Sequence, residues 1–281
     1  MTDAVRDRDV VRAPLGRGDL PALVLASTGP DPLPWDTALA AVLGYARGRR
    51  PLRFRTPDDP QGRWFSVLAF GYERFDRQPV ADGPLGDADV LVAEGLHGRL
   101  GPTRWAAVRA TLDDVRPLAE AAVARAAGRA CWELPAEEFS VLAEPGTVGA
   151  ALREVWQRSQ DADHLRPDLV SAALHHRFPT LVPHVDRTTR RQLWPHVVEG
   201  DSGVEAVVHR ELRDNAAAFA VLETAVAAML ADSAGRAGPS LTRLRLHDVL
   251  LWLSGSLRLA HAVALGRATE EWRRYEVGGV H

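Results

Sequence analysis

The chain has 281 residues, a net charge of −3, 34 cationic side chains and one cysteine. That length buries about three quarters of the unfolded surface, enough for one large domain or two small ones, and Cys131 has no partner for an internal disulfide, which fits a reducing cytoplasm. The slight acidity argues against a globally basic nucleic-acid binder and leaves room for a local basic face.

Every one of the 34 cations is arginine, and lysine and isoleucine are absent, the mark of codon usage in a GC-rich genome. A P-loop lysine, a lysine Schiff base and a lysine nucleophile are thereby excluded. Arginine is too firmly protonated to serve as a nucleophile, but it clamps phosphates and carboxylates bidentately. No apolar run has membrane-spanning length, and "MTDAVRDRDVVRAPLGRGD" mixes acids and arginines where a signal peptide needs an apolar core. The expectation is a soluble, cytoplasmic protein with no membrane partner.

Residues 1–33 read as irregular, with Pro14, Pro21, Pro30 and Pro32. "PWDTALAAVLGYARG", 34–48, reads as a helix, with Leu39, Val42 and Leu43 on one side. Between Arg49 and Gly86 the helical signal is weakest; "PLRFR" and "WFSVLAFGY" fit short strands, the second also a buried helix. Helical patterns follow: 87–97 behind an acidic cap, then 102–128 as two helices interrupted before Pro117, because proline removes a hydrogen bond and clashes with the preceding turn. Thr147 caps 147–160, which exposes Arg153 and Glu154. Further helices are expected at 167–177, 186–194 and 203–215, the last running on into 216–235. A final helix, 240–266, starts at a Ser240 cap and carries an apolar stripe of Leu246, Val249, Leu250, Leu253 and Leu257. The pattern predicts a mostly α protein, a single helical domain over 34–281 behind an irregular N-terminal portion, with short strands near the start. Residue 86 offers one sub-boundary, a packed N-terminal extension being the alternative.

"FPTLVPHVDRTTRRQLWP", 178–195, sets Asp186 between a proline-bounded apolar run and a burst of arginines. Aspartate is a favoured N-cap, since its side chain accepts free amide hydrogens of the first turn; a chemical role is the competing reading. Arg187, Arg190 and Arg191 fall at i, i+3 and i+4 on one helix face, either a solvated cationic face or a phosphate-binding one. "RGRRPLRFR", 47–55, holds five arginines around Phe54, a pattern also met in single-strand contacts. His164, His175, His176, His184, His196, His209, His247 and His261 crowd the C-terminal half, yet no zinc-type spacing occurs, so neither metal nor cofactor is expected. No G-x-S-x-G is present, Cys131 reads as a buried small side chain, and His247–Asp248 reads as a polar pair on a helix face.

The order of these elements, a helix at 147–160, the connection "DADHLRP", a helix ending "HHR", a "P-x-L-V-P" turn and then "VDRTTRR", resembles the core of the helix-hairpin-helix DNA glycosylase superfamily. "HHRFPTLVPHVD" together with "SLTRLRLHDVLLWL" is also similar to a helical family of GC-rich actinobacteria. The resemblance spans roughly residues 147–255. It implies that Asp186 is the essential aspartate of an active cleft, with His176, Arg177, His184, Arg187, Arg190 and Arg191 around nucleic acid or another ligand. Two departures narrow the expectation. "DADHLRP" lacks the glycines that let backbone amides reach phosphate and places Asp161 and Asp163 there instead, and without lysine only a monofunctional N-glycosylase-like hydrolase remains. The expected function is glycosylase-like binding of nucleic acid or a nucleoside-like ligand. The alternatives are the same scaffold taking a small anionic ligand, and a noncatalytic helical interaction protein in which Asp186 is only a cap.

Overall fold

The computed structural model describes residues 21–140, 147–160, 166–231 and 241–278. Among them are eleven α-helices and one two-stranded antiparallel sheet, a mostly α architecture with short strands near the start. The first twenty residues of the segment expected to be irregular, the "DADHL" part of the 161–167 connection, and Ser240 lie outside the described residues.

What is described of the N-terminal segment is tied to the core. Leu23 and Leu33 exchange both backbone hydrogen bonds in an isolated bridge, at 2.9 and 2.8 Å, and Leu23 and Leu25 are buried. Helix α1, Trp35–Arg47, is buried over Trp35 and the whole run 38–46. It lies against α10, Leu259–Arg267, at backbone contact: a Cβ on Gly44 would enter the Ala262 carbonyl, and one on Gly266 the Ala40 carbonyl. The first and last thirds of the chain therefore share one lobe with α8, Ala216–Leu230, and α9, Arg243–Gly255. The middle of the chain pairs α2, Asp87–His97, with α5, Pro167–Arg177, and α3, Pro102–Ala126, with α4, Val148–Gln160. Helices α6, Arg187–Leu193, and α7, Val204–Asp214, pack on α9 and join the two groups.

Strand β1, Arg49–Thr56, pairs with β2, Asp59–Leu68, through the turn Pro57–Asp58. "WFSVLAFGY" thus enters a strand and not a buried helix, and most of the hairpin's side chains face solvent.

Three expected boundaries are corrected. Helix α3 is continuous through Pro117; Pro117 is exposed while Leu112, Val115, Ala119 and Ala122 hold the buried face, so packing maintains the helix and solvent can satisfy the freed carbonyl. The run 203–235 is broken at Asn215, whose side chain leaves the helix register to accept from the Val24 amide at 2.7 Å and donate to the Val24 carbonyl at 2.9 Å. The run 240–266 is bent by 116° between α9 and α10. Leu257 at the bend has φ +57° and is 93 % exposed, so it drops out of the apolar stripe. Thr242 supplies the α9 cap, its Oγ1 accepting from the Arg245 amide and donating to the Pro179 carbonyl. Among the described residues no single helix is long and apolar enough to cross a membrane.

Candidate functional site

Between the two groups of helices lies a cavity of about 240 Å³ whose lining includes Tyr45 of α1, Phe70 and Arg74 of the following segment, His97 of α2, His184 and Asp186 before α6, Trp252 of α9, and Arg258. The segment 69–74 sits close enough to α2 because position 95 is glycine; a Cβ there would strike the Arg74 carbonyl.

Asp186 both caps and lines. Its Oδ1 accepts from the Thr189 amide at 2.8 Å while Thr189 Oγ1 accepts from the Asp186 amide at 2.9 Å, a reciprocal capping box. Oδ2 takes no hydrogen bond among the described residues, and the side chain is half-buried on the cavity wall.

A buried chain of charges forms part of the wall, with Arg245 and Asp248 among the lining residues. Arg245 reaches both oxygens of Asp76, at 2.6 and 3.2 Å, and also pairs with Asp248. Tyr45 donates to Asp76 at 2.7 Å, and the guanidinium lies over the Phe75 ring at 5.0 Å. Burial opposes the Arg245 charge, but Asp76, Tyr45 and Asp248 hold it firmly protonated. Burial likewise opposes the Asp248 carboxylate, and the charges on His184 and Arg245 outweigh it and keep it ionised. Oδ1 of Asp248 has no hydrogen-bond partner among the described residues.

His184 continues the chain: Nδ1 is 3.0 Å from Asp248 Oδ2, and Nε2 is 3.1 Å from Nε2 of His97, whose Nδ1 is 3.3 Å from Asp168 Oδ2. Burial, then the charge on His184, lowers His97 to about 3. Arg166 holds Asp168 from the other side at 2.7 Å, and that pairing outweighs burial in keeping Asp168 ionised.

The expected site residues divide. His184 and Asp186 line the cavity. His176 packs edge-on against Phe75 and bonds the Gln78 carbonyl at 3.0 Å. Arg177 makes a two-point pair with the buried Asp89, at 3.0 and 2.8 Å, and donates to the carbonyls of Ala81 and Gly83. Arg187 and Arg191 are exposed on α6, and Arg190 lies over the Trp194 ring at 5.7 Å; none of the three lines the cavity. His247 and Asp248 do not act as a pair: His247 bonds Glu211 at 2.7 Å, on the other side of α9 from His184. Cys131 is buried and its thiol is pushed up to about 12 by burial, which makes it inert.

Tyr45, Arg74, Asp76, His97, Asp168, Arg245, Asp248, Trp252 and Arg258 escape sequence reasoning. The one visible trace is polarity inside an apolar run, since Arg245, His247 and Asp248 interrupt an otherwise hydrophobic α9. Arg74 and Arg258 line the cavity with no carboxylate partner among the described residues, Arg258 lying over the Trp252 ring at 5.4 Å. Among the described residues no three His, Cys, Asp or Glu converge as a metal set. No protein-family model matches the chain, and comparison with curated proteins and with solved structures likewise finds no match.

Proposed function

We propose that the protein binds a base-bearing ligand, nucleic acid or a nucleoside-like compound, in this cavity and that Asp186 is the ionised carboxylate of a lysine-independent N-glycosidic hydrolysis. The observation that carries the proposal is the division of labour within Asp186: one oxygen serves the helix cap, the other takes no hydrogen bond among the described residues, and the residue lines the cavity. A residue that only caps gains nothing from cavity exposure. The likeness of "VPHVDRTTRR" to the helix-hairpin-helix glycosylase aspartate supports the same reaction type.

The surroundings suit such a ligand. Trp252, Tyr45 and Phe70 offer aromatic surface, and Arg74 and Arg258, without carboxylate partners among the described residues, offer positive charge for a phosphate. At about 240 Å³ the cavity is smaller than the roughly 300–1,000 Å³ typical of drug-sized ligands, so it takes one ring system, and a base within a duplex would have to leave its stack. In the reaction, the C–N bond electrons go to the base and the sugar becomes cationic. The Asp186 carboxylate stabilises that cation, water adds to the sugar carbon, and its proton passes to the carboxylate. The departing base takes its proton from solvent.

The test is a base-release screen of nucleosides and oligonucleotides on wild type and Asp186→Asn. The expected result is release by wild type that falls by orders of magnitude in the variant while ligand binding persists. Equal turnover by the two proteins removes Asp186 from the chemistry.

A further inference from the structure

The β1–β2 hairpin is unused by the cavity. Residues 49–68 carry five arginines against two aspartates, an excess of three positive charges in a chain whose net charge is −3. Phe54, Trp64 and Phe65 are 59, 65 and 49 % exposed. Directly paired residues of an antiparallel ladder share a face. Arg50, Leu52 and Phe54 thus stand beside Val67, Phe65 and Arg63 on one side, and Arg49, Pro51 and Arg53 beside Leu68, Ser66 and Trp64 on the other. The first side carries Phe54 and Phe65 with Arg50 and Arg63, and the second carries Trp64 with Arg49 and Arg53, the Arg53 guanidinium lying over the Trp64 ring at 5.7 Å. Arg50 and Arg55 have no carboxylate partner among the described residues, and Arg63 meets Asp59 only at 3.8 Å.

An isolated two-stranded hairpin is marginal in water, and exposing three aromatic rings on it adds no stability. A second copy adding a strand to its edge fits poorly. Pro51 and Pro60 interrupt the edge donors, and a register irregularity between Phe54 and Thr56 distorts the ladder. The faces, not the edges, are the available surface, and their chemistry is that of a chain of phosphates bearing planar rings. The hairpin also leads directly through Ala69, Phe70 and Gly71 into the cavity wall.

We propose that the hairpin is a docking arm for single-stranded nucleic acid, its arginines following the phosphates and Phe54, Trp64 and Phe65 stacking with bases. This rests on the nucleic-acid side of the function proposed above and selects the single strand over the duplex. Fluorescence anisotropy with a labelled oligothymidylate, and with its duplex, tests it on three proteins: wild type, Phe54→Ala/Trp64→Ala, and Arg50→Gln/Arg55→Gln/Arg63→Gln. The altered side chains are solvent-facing, and melting curves confirm that both variants stay folded.

Wild type should prefer the single strand. The ring variant should lose roughly tenfold in affinity per ring removed, and the arginine variant should show a log–log salt slope shallower by about 0.7 per lost phosphate contact. Undiminished binding by both variants, or a preference for duplex, overturns the inference, as does hairpin-dependent self-association of wild type in sedimentation without oligonucleotide binding. Nucleoside monophosphate titrations by calorimetry separate the two proposals. Oligonucleotide binding that survives the hairpin changes but is lost in Arg74→Gln/Arg258→Gln removes the hairpin and leaves the cavity. Binding that depends on the hairpin, with no monophosphate binding and no base release, does the reverse.

Discussion

His184 and Asp248 are 64 residues apart in sequence and 3.0 Å apart in the fold, both almost fully buried. Asp248 is also the carboxylate that Arg245 faces from within its own helix, so one acid serves an imidazole and a guanidinium at once. Removing one member of a buried pair leaves an uncompensated charge and typically costs about 3–5 kcal/mol. Asp248→Asn should therefore lower the unfolding free energy by about 3 kcal/mol or more in urea titrations. A loss below about 1 kcal/mol would mean that the pair behaves as a solvated one.

Stability should already fall on acidification from pH 7 to 5. Burial and the His184 charge lower His97 to about 3, and burial and Arg245 lower His175 to about 3, from an ordinary 6.5. Between those limits the unfolded chain binds protons that the folded chain refuses. Their contribution is complete above about pH 6.5 and is lost as pH drops toward 3, at up to about 1.4 kcal/mol per pH unit for each ring. Denaturant midpoints at pH 7, 6 and 5 should decline steadily. His175→Asn keeps a donor for the Val182 carbonyl, now 2.7 Å from Nδ1, and should remove about one ring's share of the slope; an unaltered slope would show that His175 is not held neutral.

Arginines of one short stretch should separate by role. Arg177→Gln breaks the pair with buried Asp89 and should cost about 3 kcal/mol or more. Arg187→Gln/Arg191→Gln changes two exposed side chains and should stay within about 0.5 kcal/mol of wild type for each change. Thermal melts of the two variants decide it, and comparable losses would contradict the assignment of Arg177 to structure.

The cap at Asp186 predicts a graded response. Asparagine accepts the same backbone hydrogen bonds, so Asp186→Asn should melt close to wild type, whereas Asp186→Ala should lose about 1 kcal/mol. Equal destabilisation by both would mean that the charge on Asp186, and not the acceptance of the Thr189 amide, stabilises α6.

The absence of lysine gives a chemical prediction. Borohydride added during any base-release reaction should trap no adduct on an internal residue, because no ε-amine exists to form an imine. Mass mapping of the protein checks this, and an internal adduct would exclude the hydrolytic route.

The parts of this molecule legible in sequence are those governed by neighbours in the chain. The helix at 34–48 follows from its apolar spacing, and the cap at Asp186 follows from an acid ahead of "RTTRRQL", the Thr189 hydroxyl completing it locally. The parts that were not legible depend on distant partners. Pro117 sits inside a helix because the apolar face of α3 is buried, and Asn215 breaks a helix because Val24 presents a strand-like edge to it. The cavity wall draws on α1, α2, α9 and three connecting segments, so no spacing rule could assemble His97, His184 and Asp248. Arg177 and His176 lie beside "FPTLVPHVD" in sequence, yet one turn of α5 directs them to the 78–89 segment and away from Asp186.

The backbone contact between α1 and α10 also sets an order of assembly. Tyr45 and Asp76 emerge from the ribosome 200 and 169 residues before Arg245, the cation that pairs with Asp76, and α1 must wait longer still for Ala262 and Gly266 to close against it. A chain released early, or cut ahead of α9, would have to bury Asp76 without its counter-charge and leave the glycine face of α1 open to water. Such fragments should therefore be held by chaperones or degraded, and the cavity lacks Arg245, Asp248 and Trp252 until α9 has been made.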